Sequence, residues 1–261
     1  MTSHLLKYFA LGLALLLSQP VYAHKGNAGG YGLTHTETQV SAGETFTFRS
    51  GRDTTAKGAQ ARADAIKGEV GGNLSLESEQ DTSTYRARNQ SISAGGSYTI
   101  GGGGGSANFS YMQGKTDSDY RSVIEQTGLF AGAGGFDITV GKNTDLKGAV
   151  ISSQADASKN KLSTETLTYS NIENKAEYKT STTGVMLQGG GQSGMANIGG
   201  MNMSALPIVG VSSSDKASST TLAAISPATI EIRSNKDLST LSRDPEKANQ
   251  ALAKIFDKTK V

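Results

Sequence analysis

The chain has 261 residues with 33 glycines, no tryptophan, no cysteine and a formal net charge of +2 at pH 7. Without cysteine it has no disulfide framework and no thiolate metal site. The near-neutral charge, with Lys and Arg dispersed, gives no electrostatic case for a nucleic-acid partner. Hydrophobic residues make up 36% and aromatic residues 6%, too few large side chains for a thick globular core but enough for thin, turn-rich repetitive β-structure.

The amino terminus reads as a leader. His4 and Lys7 precede an apolar run over 8–17, which Gln19 and Pro20 interrupt before Val21-Tyr22-Ala23. Small or β-branched side chains at −3 and −1 suit a signal peptidase, so the pattern predicts a signal peptide over 1–23 with cleavage after Ala23. The run is about half the ~20 residues that a spanning helix needs. Export through the inner membrane to a secreted or cell-surface location follows.

From residue 24 to 243 the chain repeats itself. FTFRSGRDTTAKGA (46–59) aligns without gaps on FDITVGKNTDLKGA (136–149), an offset of 90. VSAGETFTF (40–48) matches ISAGGSYTI (92–100) at an offset of 52, and TIEIRS (229–234) echoes TFTFRS (45–50). GGNLSL (71–76) follows Gly51-Arg52-Asp53 by 20 residues. The shared unit is a Gly turn with Asn or Asp, then a short alternating run. Gly, Asn and Asp tolerate the positive φ of tight turns, and alternation puts every second side chain on one face. So short a unit buries that face only by stacking on its neighbours. A 20-residue spacing suits one coil of a parallel β-helix, with insertions where the offsets are not multiples of 20.

Two segments read as those insertions. The first, near 101–135, opens on five glycines and carries Phe109, Tyr111 and Met112; it predicts an extended hairpin. The second, near 174–224, holds a Gly-rich, Met-rich stretch with Met195, Met201 and Met203, suited to a hairpin, a loop or a docking patch. These six side chains are the candidate receptor contacts. In the terminal segment 244–261, Asp244-Pro245-Glu246 is a helix-start pattern and Ala248, Leu252, Ile255 and Phe256 recur at helical spacing, predicting a short helix over 245–256.

Enzyme motifs fail on inspection, so no catalytic, cofactor-binding or metal residue is assigned. Gly114-Lys115-Thr116 resembles the end of a phosphate-binding loop, but Phe109 stands where that pattern needs Gly. His24 and His35 have no carboxylate pair at ligand spacing. Asp117 and Asp119 fit neither an EF-hand nor a Gly-Asp array. As a carboxylate pair they suit only the alternative of a carbohydrate-active β-helix enzyme of pectin-lyase type. A non-functional truncated gene product is a further alternative.

The runs SGRDTTAKGAQ (50–60), VGGNLSLESEQD (70–81), EQTGLFAGAGGFDITVGKNTDLKGAVI (125–151) and KNKLSTETLTYSNIENKAEY (159–178) resemble the haemagglutinin repeats of filamentous-haemagglutinin-like proteins secreted by the two-partner route. LSRDPEKANQALAKIFDK (241–258) is similar to the end of the second repeat region in contact-dependent growth inhibition effectors. The resemblance covers nearly all of 33–258. It implies an all-β chain, a right-handed parallel β-helix with β-hairpin insertions, displayed at a bacterial surface. It further implies a non-enzymatic role in binding a receptor or outer membrane on a bacterial or host cell, and in delivering a toxin. The family carries a transport domain before the repeats and a toxin after them. Here a signal peptide abuts repeat sequence and the chain stops at Val261, which implies a fragment, a truncated gene or an orphan module. An outer-membrane transport partner is expected only with that transport domain.

Overall fold

The computed structural model describes residues 21–98, 104–192, 203–234 and 238–256. In chain order its strands are β1 (Val21–Leu33), β2 (Thr38–Ser41), β3 (Thr45–Ser50), β4 (Thr54–Lys57), β5 (Ala59–Val70), β6 (Leu74–Glu77), β7 (Asp81–Tyr98), β8 (Gly104–Ser122), β9 (Gly128–Val140), β10 (Asn143–Lys147), β11 (Val150–Ser153), β12 (Lys161–Thr164), β13 (Thr166–Ser170), β14 (Ile172–Gln192), β15 (Met203–Thr221), β16 (Ala224–Ile225) and β17 (Thr229–Ile232). Among the described residues the helical elements are two 3-10 turns, Ala157–Lys159 and Pro245–Lys247. The molecule is all-β, as the composition predicts. Most of the expected signal peptide lies outside the described residues, and Val21, Tyr22 and Ala23 open β1.

Two compact units divide the chain. The ladder unit takes its described residues from Tyr31–Thr84, Asp119–Glu177 and Lys216–Val261, and the hairpin unit from Met1–Gly30, Tyr85–Ser118 and Tyr178–Asp215.

In the ladder unit short strands pair in parallel with strands one turn of sequence away. One sheet runs β13-β10-β6-β4; the other runs β16-β11-β9-β12-β17, with β5 joining β2 and β3 to β9. The registers build columns of like residues. Phe48, Gly68, Ile138, Leu162 and Ile230 form one. Val40, Ala61, Leu129, Ile151 and Ile225 form a second, and Ala56, Leu76, Leu146 and Tyr169 a third. Ile138, Leu146, Ile151, Leu162 and Ile225 are fully buried, each such burial contributing about 1.5–3 kcal/mol. Gly68 is part of the packing: a Cβ there would lie 2.4 Å from Cζ of Phe48, whose ring takes the space.

The turns stack as well. A Cβ on Gly71 would meet the Gly51 carbonyl oxygen at 2.7 Å, and one on Gly141 the Gly71 carbonyl oxygen at 2.4 Å, so only glycine allows this approach. Beside them Asp53 Oδ1 accepts from the Asn73 backbone N–H at 2.7 Å, and Asn73 Oδ1 from that of Asn143 at 3.2 Å. Each turn thus fixes the next, which is why Gly with Asn or Asp marks the repeat.

The repeat offsets have structural meanings. The offset of 20 is one rung, Thr54 pairing with Leu74. The offset of 90 is two rungs: Phe46 and Phe136 both pair with Ile66, from opposite sides. The offset of 52 is no rung, because Ile92 lies in β7, a strand of neither ladder sheet; similar alternation does not choose a partner. The 229–234 echo sits two residues out of register, since Thr229 falls in the column of Thr47, a slip that preserves the buried face.

The helix expected over 245–256 is not formed beyond the turn at Pro245–Lys247. The backbone groups it needs are engaged by the ladder unit instead. The Ala248 carbonyl accepts from Leu222 N–H at 2.9 Å, Ser122 Oγ accepts from Leu252 N–H at 2.9 Å, and the Leu252 carbonyl accepts from the Tyr120 hydroxyl at 2.8 Å. Tertiary hydrogen bonding overrides the local helix signal.

Candidate functional site: the hairpin sheet

The five-stranded sheet has the order β1-β7-β8-β14-β15. The first hairpin is β7 with β8, so it starts at Asp81 rather than near 101. Gly128–Val140, placed partly inside the expected insertion, is instead ladder strand β9. The second hairpin is β14 with β15. Numbers fall along one strand as they rise along the next: the hydroxyls of Ser97 and Ser106 lie 2.8 Å apart and those of Ser93 and Ser110 2.7 Å apart. Thr116 faces Thr180 at 3.0 Å, and Tyr178 faces Ser213 at 3.2 Å. Strands so ordered run antiparallel.

Directly opposed residues share a face. The Ser93–Ser110 and Ser97–Ser106 pairs define one face of β7 and β8, which leaves Ile92, Ala94, Phe109 and Tyr111 on the other. The Thr116–Thr180 pair carries the count onto β14 and adds Val185 and Leu187 to that second face. Two apolar rows therefore cross adjacent strands, Ile92-Tyr111-Val185 and Ala94-Phe109-Leu187. Ile92 is 41% and Phe109 36% exposed, and within the hairpin unit β1 is exposed along its described length.

Of the six candidate contacts, Phe109 and Tyr111 come together on the apolar face. Met112 lies on the opposite face, where the same count places the exposed Met186. Met195 and Met201 fall outside the described residues, and Met203 is the first residue of β15. Ile92, Val185 and Leu187 were not singled out from the sequence, although a signal exists for them. No Asp, Glu, Lys or Arg occurs from Asn89 to Gly114, nor from Thr180 to Ser214. Charge returns where the strands leave these stretches: Arg88 donates to Asp117 at 2.7 Å, and that bond, with Lys115 beyond it, holds the Asp117 carboxyl below the usual carboxylate range. No helix among the described residues is long and apolar enough to cross a membrane.

The enzymatic alternative needs converging carboxylates. Asp117 is paired as above, and Asp119 pairs with Lys175 at 3.4 Å. An open groove of about 600 Å³ follows the stacked glycines 51, 71 and 141. Its one carboxylate, Glu69, is paired with Arg49 at 3.3 Å. His35 differs from the sequence reading: the fold brings Glu79 and Asp81 to 3.7 Å from its two ring nitrogens. Among the described residues no group of three or more His, Asp or Glu is arranged to hold a metal ion.

The Hemagglutinin repeat family model matches residues 17–92 and 86–185. The chain belongs to the haemagglutinin-repeat family. It is 46% identical over 244 residues, 92% of its length, to a "tRNA nuclease CdiA" of Escherichia coli strain NC101, of which it spans 7%. It is 44% identical over 243 residues, 90% of its length, to a "Deoxyribonuclease CdiA" of Yersinia pseudotuberculosis, of which it spans 22%. A "16S rRNA endonuclease CdiA" of Enterobacter cloacae is 41% identical over 240 residues, covering 90% of this chain and 7% of that protein. No solved structure matches. This haemagglutinin-repeat chain is thus similar to one short stretch of contact-dependent growth inhibition toxins whose names carry different nuclease activities.

Proposed function

We propose that the chain is a non-enzymatic, secreted or surface-displayed segment that holds a contact-dependent growth inhibition effector against the envelope of a neighbouring cell while its toxin is delivered. The hairpin sheet is the contact surface. The supporting shaft is a right-handed parallel β-helix: parallel rungs 20 residues apart, with stacked Gly-Asn turns, favour a coil, and parallel crossovers are overwhelmingly right-handed. The leader ending at Ala23 takes the chain across the inner membrane.

One observation carries this reading, the charge-free stretches 89–114 and 180–214. The ladder unit carries paired charges on its exposed faces, as soluble surfaces do. Strands of ~9–11 residues without charge, with apolar rows on one face, suit the apolar layer of an outer membrane. The relatives' names differ in nuclease type while the repeat stretch persists, which fits a delivery role common to all of them.

The test is binding of purified residues 24–261 to intact bacteria, with circular dichroism on the same sample. Saturable binding by a β-rich protein is expected. The double variant Ile92→Asp/Phe109→Asp should lose binding and keep its β spectrum. A β-rich wild type that does not bind, or a double variant that binds equally, overturns the assignment.

A further inference from the structure

The two ends of the ladder are finished differently. At the last rung the chain covers part of its own edge: Ser242 bridges Ala224 in parallel, and its carbonyl accepts from Ile225 N–H at 3.1 Å. The first rung, β2 to β4, has no such cover among the described residues. There β2 and β3 pair with β5 alone, and β4 with β6 alone. Phe46 and Phe48 lie at this end, half-buried, with their rings stacked at 5.8 Å. Strand edges left open in this way template pairing with another strand.

The outward backbone groups follow from the inward ones. Thr38 and Ala42 N–H donate to the Gly58 and Arg62 carbonyls, the Glu44 and Ser50 carbonyls accept from Ala65 and Gly71 N–H, and Thr54 and Gly58 N–H donate to the Asn73 and Glu77 carbonyls. In a parallel ladder a residue turns both its groups to one side and the next residue turns them to the other. Gln39, Ser41, Thr45, Thr47, Arg49, Thr55 and Lys57 therefore aim theirs away from the ladder. The rung is also nearly the same read in either direction: strands of four, six and four residues, separated by 42–44 and 51–53. A two-fold axis at Thr47 sets Thr47 against itself, Thr45 against Arg49 and Gln39 against Thr55, so that free groups face free groups. The same axis sets Phe46 against Phe48, Val40 against Thr54 and Thr38 against Ala56, all residues of the inner face. No charge falls opposite a like charge: Lys57 meets Glu37, and Arg49 meets Thr45.

We propose that the first rung is a self-association surface: a second copy of this chain lays its own β2–β4 rung on it about a two-fold axis through Thr47, with β3 antiparallel to β3 and β2 antiparallel to β4 of the other copy. The Phe46 and Phe48 rings of both copies then cover one another, as each inner rung covers the next. A like end is the occupant because the opposite end is taken. Gln39 and Ala224 belong to one column, so β2 of a copy stacked head to tail needs the place beside Ala224 that Ser242 holds. The contact uses the same patch on both copies and closes at two, where a head-to-tail contact builds an open filament.

The test is the mass of the purified chain in solution, by sedimentation and light scattering over a range of concentrations. A species of twice the chain mass is expected, with no larger assemblies. Thr47→Pro removes an N–H that the ladder does not use, at an edge position where proline is tolerated, and should return the protein to single copies with its β spectrum unchanged. Cysteine crosslinking reads the register independently, since the chain has no cysteine of its own. Under mild oxidation Thr47→Cys should link two copies, because residues opposed in antiparallel strands lie about 5.5 Å apart at Cα, within disulfide reach. Thr45→Cys alone should not link, but should do so when mixed with Arg49→Cys. Single copies at every concentration, open-ended assemblies, a pair that survives Thr47→Pro, or Thr45→Cys linking as readily as Thr47→Cys each overturn the proposal. The crosslinking comparison decides it should Thr47→Pro fail to fold.

Discussion

The two units use the same backbone geometry to opposite ends. In the ladder unit the buried columns have three to five members drawn from different turns, and a fully buried polar residue is held by hydrogen bonds. Asn174, 1% exposed, accepts from Val123 N–H at 2.9 Å and donates to Thr221 Oγ1 at 2.9 Å. In the hairpin unit the sheet has large apolar side chains such as Ile92 and Phe109 at the surface, and charge is absent from the long reach of both hairpins. Alternation alone is not what makes a core. It makes a two-faced ribbon, and burial comes from what stacks on the ribbon. The ladder supplies its own cover by repetition; in the reading proposed above, the hairpin sheet finds its cover in another cell's envelope.

Substitutions should separate the two regimes. The largest effect belongs to Leu162→Ala, which empties a site between Ile138 and Ile230 in the ladder. A loss of about 2–5 kcal/mol is expected, measured by denaturant unfolding followed by circular dichroism. Asn174→Leu should cost about 1–3 kcal/mol by the same assay, since it strands the Val123 N–H. Gly141→Ala forces a Cβ to 2.4 Å from a backbone carbonyl that has little freedom to move. It should cost about 1–3 kcal/mol, shown as a lowered midpoint at unchanged slope. The smallest effect is expected of Phe109→Ser, about 0.2–1 kcal/mol, the scale of a cross-strand pair on an open face. A large destabilisation there would mean that the sheet face is covered within the chain, and the comparison between units would collapse.

Much of the ladder is legible in the sequence because its determinants are local and repeated: Gly51, Gly71 and Gly141 mark the turns, and Leu74-Ser75-Leu76 shows the alternation. The base of the first hairpin is not legible. Residues from Asp81 onward alternate as ladder strands do, and the glycines at 101–105 mislead by being conspicuous. The terminal helix signal at Asp244-Pro245-Glu246 is real at its own scale, and fails because Ser122 and Leu222, more than a hundred and some twenty residues earlier, compete for the same backbone groups.

The spacing of the rungs also sets an order of events. β3 reaches its partner β5 across 20 residues, whereas β5 reaches β9 across 70, because a whole hairpin is threaded between them. Closing the longer loop costs about 1 kcal/mol more chain entropy. A hairpin closes in ~1–10 μs on its own, and once closed it brings the ends of that loop together. Chain growth along this molecule should therefore advance in a two-beat rhythm, a quick rung followed by one that waits for its hairpin.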